Sequence, residues 1–538
     1  VNIRRARPFL LTLLGLLLAS ARCGTPTAAA STPPRWGEPV SIGQEIPSSW
    51  FPDIQADPTG AFRLVWTSNL VEGDGNLTHA LTGAVMFAQL GQAGWGTPRD
   101  IRVMDAGIAS RPLIASDGTY AHMLFRTGTL GTVRLFYTRA PVTADLGNAH
   151  SWSEPRAISE GEAYYAQIAI LPGGELVVLY NGIPPQPVAT GTATATARPP
   201  APATPGTPQA APPRPTVVFA RRSTDHGQTW SFARRVSDTS ERIGRVALAV
   251  APDGVTLIVA WDEGYDNLTG QGEPLGVGTA LSVDGGVAWG AQQAIRSSLG
   301  AIEQASVVIG ADGPFLIYRT TGVDHLFYRT SVDGGREWSA ERAVPFGVTR
   351  PYASKHNFDK LGLATDGDGR ILLAYVGKDQ SAPKGLAVMV ATYAGGQWTA
   401  PERVAAPDGY PEYPRLAVAL GNHVQLVYFV RDKEFEIGHY VLYSVAGQSD
   451  ASSHPPATPP AAPAIATPSA RPLPAVQLQP HPPILAVPTP LPASDSPLDA
   501  PQSQVSRPAM QALIVTLLIL GTLVAIVLVS RRLRTAYR

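Results

Sequence analysis

One unit occurs seven times along this chain, and that repetition limits the fold more than any other feature. Each copy is an alternating apolar run, a tight turn that usually holds glycine, and a second apolar run. The copies begin at Pro52 (PDIQADPTGAFRLVW), Arg111 (RPLIASDGTYAHMLF), Ala166 (AQIAILPGGELVVLY) and Arg245 (RVALAVAPDGVTLIVAW), then at Gln304 (QASVVIGADGPFLIY), Lys360 (KLGLATDGDGRILLAY) and Pro414 (PRLAVALGNHVQLVYF). Period-two alternation broken by D-G, G-G or G-N predicts β-hairpins. Each unit continues into a third strand. Six then close with Trp-x5-Ile/Val, at Trp95, Trp152, Trp230, Trp289, Trp338 and Trp398. The seventh closing segment stands at the front, where Trp36 opens WGEPVSI. An N-terminal strand that completes the last unit would close a ring and remove the free sheet edge. The expected fold is therefore all-β: a seven-bladed β-propeller of four-stranded antiparallel blades over residues 34–448, closed by an N-terminal strand, plus one C-terminal transmembrane helix. The 52 glycines and 51 prolines among 538 residues suit turns and argue against a mostly helical chain.

The two ends read as targeting signals. Arg4, Arg5 and Arg7 precede an apolar run from Phe9 to Leu18 and the small residues Ala19-Ser20-Ala21, the order of parts in a secretory signal over 1–21. A short linker, 22–33, would follow. Cys23, the only cysteine, raises lipidation as an alternative, although Arg22 is a poor residue to precede a lipidated cysteine. At the other end, 509–530 is apolar and uncharged, long enough to cross a ~30 Å hydrocarbon core, and 531–538 holds Arg531, Arg532, Arg534 and Arg538. The positive-inside rule makes that tail cytoplasmic and puts the rest outside. Residues 449–508 form a Pro/Ala/Ser/Thr-rich stalk, with 17 prolines between Ala451 and Pro508, and a similar Pro-rich insert near 185–215 interrupts the repeats.

Forty-two basic residues balance 42 acidic ones, so charge offers no case for nucleic acid. One cysteine excludes a disulfide framework, and the ten scattered histidines lack ligand spacing. No metal or cofactor is expected. Asp366-Gly-Asp368-Gly resembles a calcium-loop fragment but reads more simply as a turn.

Three units carry a tighter motif, Ser-x-Asp-x-Gly-x-x-Trp: Ser223, Asp225, Gly227 and Trp230; Ser282, Asp284, Gly286 and Trp289; Ser331, Asp333, Gly335 and Trp338. The carboxylate can accept backbone N–H groups inside a hairpin turn, glycine tolerates positive φ, and tryptophan packs between sheets. These residues resemble the Asp boxes, or BNR repeats, of the sialidase-like propeller superfamily, over essentially all of 34–448. The resemblance implies that the boxes are structural and lie on third-to-fourth-strand turns away from the functional face.

The strand order puts the inter-blade loops and the second-to-third-strand loops together at the opposite end. That end offers Tyr164, Tyr165, Tyr352, Arg111, Arg350 and Tyr413 for binding, and Arg126, Arg319, Arg431, Tyr352, Glu303, Asp262 and Glu263 as candidate catalytic groups. Resemblance to sialidases implies three arginines clamping a carboxylate, a tyrosine nucleophile with a glutamate, and an aspartate acid/base. Two departures stand against carrying that set over. The early Phe/Tyr-Arg-Ile-Pro segment is replaced by Ser-Trp-Phe-Pro-Asp, and sialidases have six blades. The expectation is a membrane-anchored extracellular propeller that binds a glycan or surface polymer. An exo-sialidase-like glycoside hydrolase and a protein-binding adhesion or assembly scaffold are the alternatives.

Overall fold

The computed structural model describes residues 35–452, apart from 47, 70–82, 105–109, 130, 185–215, 239–241, 267–270, 322–324, 347–360 and 434–438. The signal, linker, Pro-rich insert, membrane helix, basic tail and nearly all of the stalk lie outside the described residues. So do Tyr352 and Arg350.

Seven antiparallel sheets follow one another along the chain. Their innermost strands are Ser49–Ala56, Leu113–Ser116, Ala163–Ile170, Ile243–Val250, Ile302–Gly310, Leu361–Thr365 and Tyr410–Val418, which begin blades 1 to 7. Each packs beside the next, and the seventh beside the first, so the ring is closed. Blade 7 takes its outer strand from the other end of the chain: Arg35 pairs with Gln448 and Val40 with Ser444. The displaced Trp36 segment thus completes the ring as the repeat count requires. In blades 1, 6 and 7 the outer strand is split into two short pieces, giving those sheets five segments.

The apolar residues on both faces of each blade meet those of its neighbours. Seven core clusters straddle the seven interfaces; one joins Val65 and Phe87 of blade 1 to Met123 and Phe125 of blade 2. This is why the strands read as apolar on both faces, and why one blade would not be stable alone.

The three complete boxes have one geometry. Ser223 Oγ donates to Asp225 Oδ1 at 2.7 Å and accepts the Gly227 N–H at 2.8 Å, while Asp225 Oδ1 accepts the Thr229 N–H at 2.8 Å. Ser282–Asp284 and Ser331–Asp333 repeat this pattern. The carboxylates are occupied inside their own turns, as a scaffold role requires. Gly227 sits at φ +82, and a Cβ there would overlap the hydroxyl of Tyr137 in blade 2.

Box turns and first hairpin turns share one end of the ring, the turn end; the inter-blade loops mark the other, the mouth. The chain leaves at the turn end. Ser449 Oγ donates to Asp366 at 2.6 Å, and Ser452 donates its N–H and Oγ to Asp368 at 2.8 and 2.9 Å. The Asp366-Gly-Asp368-Gly turn therefore fastens the chain's exit to blade 6.

Candidate functional site

The mouth is built by a recurring irregularity. In blades 1, 3, 4, 5 and 7 the register between the innermost and second strands slips at the same place, between Trp50 and Asp53, Ala163 and Ala166, Ile243 and Val246, Glu303 and Ser306, and Glu412 and Arg415. A bulge breaks the period-two rule and re-aims side chains that alternation would send into a blade interface. Phe51, Gln304 and Tyr413 adopt positive φ (52°, 57° and 57°) within these bulges, and Arg111 (41°) does so at the corresponding entry to blade 2. Such conformations cost of order 1–3 kcal/mol each and gather where a site needs them.

Blades 1 to 4 each grip the next. Thr67 Oγ1 accepts the Arg111 N–H at 3.1 Å, and Arg126 donates to the Tyr164 carbonyl at 2.8 Å. Asn181 donates to the Ile243 carbonyl at 2.9 Å, and Asp262 accepts the N–H groups of Gln304 and Ala305 at 3.0 and 2.9 Å. Both oxygens of Asp262 are thus engaged in joining blades 4 and 5.

Five of the sequence-derived candidates converge: Arg111, Arg126, Tyr164, Tyr165 and Tyr413 line one pocket of about 50 Å³ together with Arg245 and Arg415. No carboxylate is among the lining residues. The arginines lie on aromatic faces. The Arg126 guanidinium sits 3.5 Å from the Tyr164 ring centroid, that of Arg111 is 4.0 Å from Phe51 and 4.9 Å from Tyr165, and that of Arg415 is 3.9 Å from Tyr413. Stacking fixes the plane of a guanidinium. The pocket opens beside a central channel of about 240 Å³ that all seven blades line, with Asp53, Arg245 and Arg415 among its polar groups.

Burial lowers the Arg126 pKa from the ordinary 12.5 to about 10. For the Tyr164 phenol burial acts upward as the largest single effect, yet the guanidiniums of Arg126 and Arg111 together outweigh it and its pKa is lowered. Burial pushes the Tyr165 phenol up to about 12, and its hydroxyl has no hydrogen-bond partner among the described residues. Burial also raises the Asp53 carboxyl to about 6, against the Ile114 N–H that it accepts at 2.9 Å and the charge of Arg415.

The remaining candidates sit elsewhere. Glu263 points away from Asp262, pairs with Arg296 at 2.8 Å and accepts the Trp261 indole N–H. Glu303 and Arg319 face each other across blade 5, both buried, and Arg431 pairs with Glu412 at 2.6 Å inside blade 7. Arg245, Arg415 and Asp53 were missed. Their signal was a lone charge in an apolar innermost strand (RVALAV, PRLAV, PDIQA), within the bulge for Arg245 and at its far edge for Asp53 and Arg415.

Residues 144–426 match the model of a family described as BNR repeat-like domain, in agreement with the Asp-box resemblance. No curated protein matches the sequence at a significant level. Among solved structures, a protein of unknown function from Dyadobacter fermentans is 15% identical, covers 77% of this chain and 99% of its own, and has a TM-score of 0.43. An ulvan lyase of polysaccharide lyase family PL25 is 10% identical, covers 75% and 95%, and has a TM-score of 0.46. A sialidase from Streptococcus pneumoniae is 9% identical, covers 77% and 97%, and has a TM-score of 0.41.

Proposed function

Because this chain belongs to the BNR repeat-like domain family, we propose that it is a glycan-binding propeller that takes an acidic saccharide or surface polymer at its mouth. The observation that carries this reading is the pocket itself, in which stacked arginines meet with no carboxylate in the lining. At about 50 Å³ it suits a carboxylate or sulfate substituent rather than a sugar ring, so the ring would lie above it in the mouth. The Tyr165 hydroxyl supplies a donor without an acceptor among the described residues, which a bound oxyanion would satisfy. The test is a glycan array probed with the full chain in detergent. Acidic glycans should bind and Arg111→Ala should abolish them; retention of neutral glycans only would overturn the reading.

The lowered Tyr164 phenol beside Arg126 favours a second reading, a glycoside hydrolase with Tyr164 as nucleophile. Turnover of a fluorogenic sialoside that disappears in Tyr164→Phe would support it, and turnover that survives in the variant would remove it.

We further propose that 1–21 directs secretion and that 509–530 anchors the chain, with 449–508 as stalk and 531–538 in the cytoplasm. The chain passes toward this stalk at the turn end, where Ser449 and Ser452 are held by Asp366 and Asp368. Protease treatment of intact cells should release the propeller from the membrane fraction; full protection would argue against an outward-facing ectodomain.

A further inference from the structure

At the turn end, far from the mouth, a groove of about 400 Å³ runs between blades 3 and 4. Its floor is the third strand of blade 3, at Ala220 and Arg222. One wall is formed by Trp230 and Arg234, the other by Gly286 of the next box. Comparison with the next interface explains why it is open. Counting three residues back from the box serine, Ala220 of blade 3 corresponds to Thr279 of blade 4. Thr279 Oγ1 accepts the indole N–H of Trp338 from the following blade at 3.3 Å. With alanine at 220, the corresponding Trp289 N–H has no acceptor among the described residues.

The walls of the groove are cationic and rich in hydroxyls, with Arg222 and Arg234 beside Thr224, Thr229 and Ser231. Glu175 pairs with Arg222 and fixes its guanidinium, whose Nε makes no hydrogen bond. Among the described residues, the Arg234 side chain has neither ion pair nor hydrogen bond, and Phe232, two residues past Trp230, is 88% exposed. Cations, hydroxyl-bearing turn residues and aromatic rings around a volume of this size suit a mono- or disaccharide.

We propose that the groove between blades 3 and 4 is a second saccharide site, specific for a sugar bearing a carboxylate or sulfate. Arg234 and Arg222 take the acid group and Phe232 covers the apolar face of the ring. The proposal takes its ligand class from the glycan reading of the mouth but uses none of the mouth's residues, and the test separates the two. The full chain in detergent is titrated with a chondroitin sulfate hexasaccharide and followed by hydrogen exchange. At saturation, peptides spanning 218–236 should gain protection. The double variant Phe232→Ser/Arg234→Ser changes only exposed side chains and should melt as the wild type does. It should lose that protection and bind about tenfold more weakly or worse at this site, while peptides around 160–170 respond as before. Arg111→Ala should do the reverse. The proposal is overturned if 218–236 stays unprotected at saturation, or if the double variant leaves its protection unchanged. It is also overturned if the groove is already protected without sugar and the hexasaccharide changes nothing, which would mean that another segment of the chain occupies it.

Discussion

Replacing Arg126 by methionine should separate what this residue does for the fold from what it does for a ligand. The side chain is 2% exposed, and burial holds its pKa at about 10 rather than 12.5, which corresponds to ~3 kcal/mol of unfavourable environment for the charge in the empty pocket. Methionine fills a similar volume and removes that cost. Against this gain stand the Tyr164 carbonyl, which loses its donor at a cost of ~1–3 kcal/mol, and a stacking contact worth ~1 kcal/mol. The two sides nearly cancel, so unfolding free energy should change by less than ~2 kcal/mol in either direction. Binding has no such compensation. A charge-assisted hydrogen bond to an oxyanion in a desolvated pocket is worth ~2–3 kcal/mol, so affinity for an acidic glycan should fall about 30- to 150-fold. Urea unfolding and isothermal titration on the same preparations measure the two quantities. A variant that unfolds several kcal/mol more easily yet binds as tightly as the wild type would refute the reasoning and make Arg126 a structural staple only.

Three further outcomes follow from individual groups. Asp53, raised to about 6, favours the folded state only while protonated, so stability should fall by ~2–3 kcal/mol as pH rises from about 4 to above 6; Asp53→Asn should abolish that slope in pH-dependent urea melts. Asp225 is lowered to about 2 by its turn hydrogen bonds against a smaller-than-their-sum burial effect, so its contribution is present above about 4 and lost as pH falls through 2. The difference between wild type and Asp225→Asn should accordingly vanish at the acid end of a melting series. Gly227→Ala must overlap Tyr137, whose hydroxyl is held by His122 at 2.7 Å, whereas Gly395→Ala (φ +54) meets nothing within 4 Å. The second should cost about 1–2 kcal/mol in chemical denaturation and the first clearly more.

The ring was legible because its signals repeat. Alternation, hairpin turns and closing tryptophans recur at each blade, and the one segment out of place, at Trp36, pointed to closure. The site was legible only in part, for a geometric reason. Alternation assigns every second residue of a strand to one face, and a bulge cancels that rule just where the mouth begins. Arg245 lies within a bulge and Arg415 at the end of one, and both line the space near the axis, so their position could not be read by counting. Glu263 and Asp262 show the converse: neighbours in sequence, they point to opposite faces, and neither lines the pocket.

Repetition also separates scaffold from chemistry within this one chain. The boxes do the same job with the same residues in blades 3, 4 and 5, and their carboxylates are spent on their own turns. Near the mouth end of the second strands, one mechanical task, holding the next blade, is done by four different side chains: Thr67, Arg126, Asn181 and Asp262. Neutral groups suffice for two of the four joints, so a buried charge at this position is not a requirement of the fold. Burial makes such a charge costly, as the lowered pKa of Arg126 reflects. At blade 4 the charge is met by two backbone N–H groups, whereas Arg126 at blade 2 carries its cation into the lining of the pocket, over Tyr164. That expense, present in one joint and avoided in its neighbours, is the physical reason to place ligand recognition between blades 2 and 3 rather than evenly around the mouth.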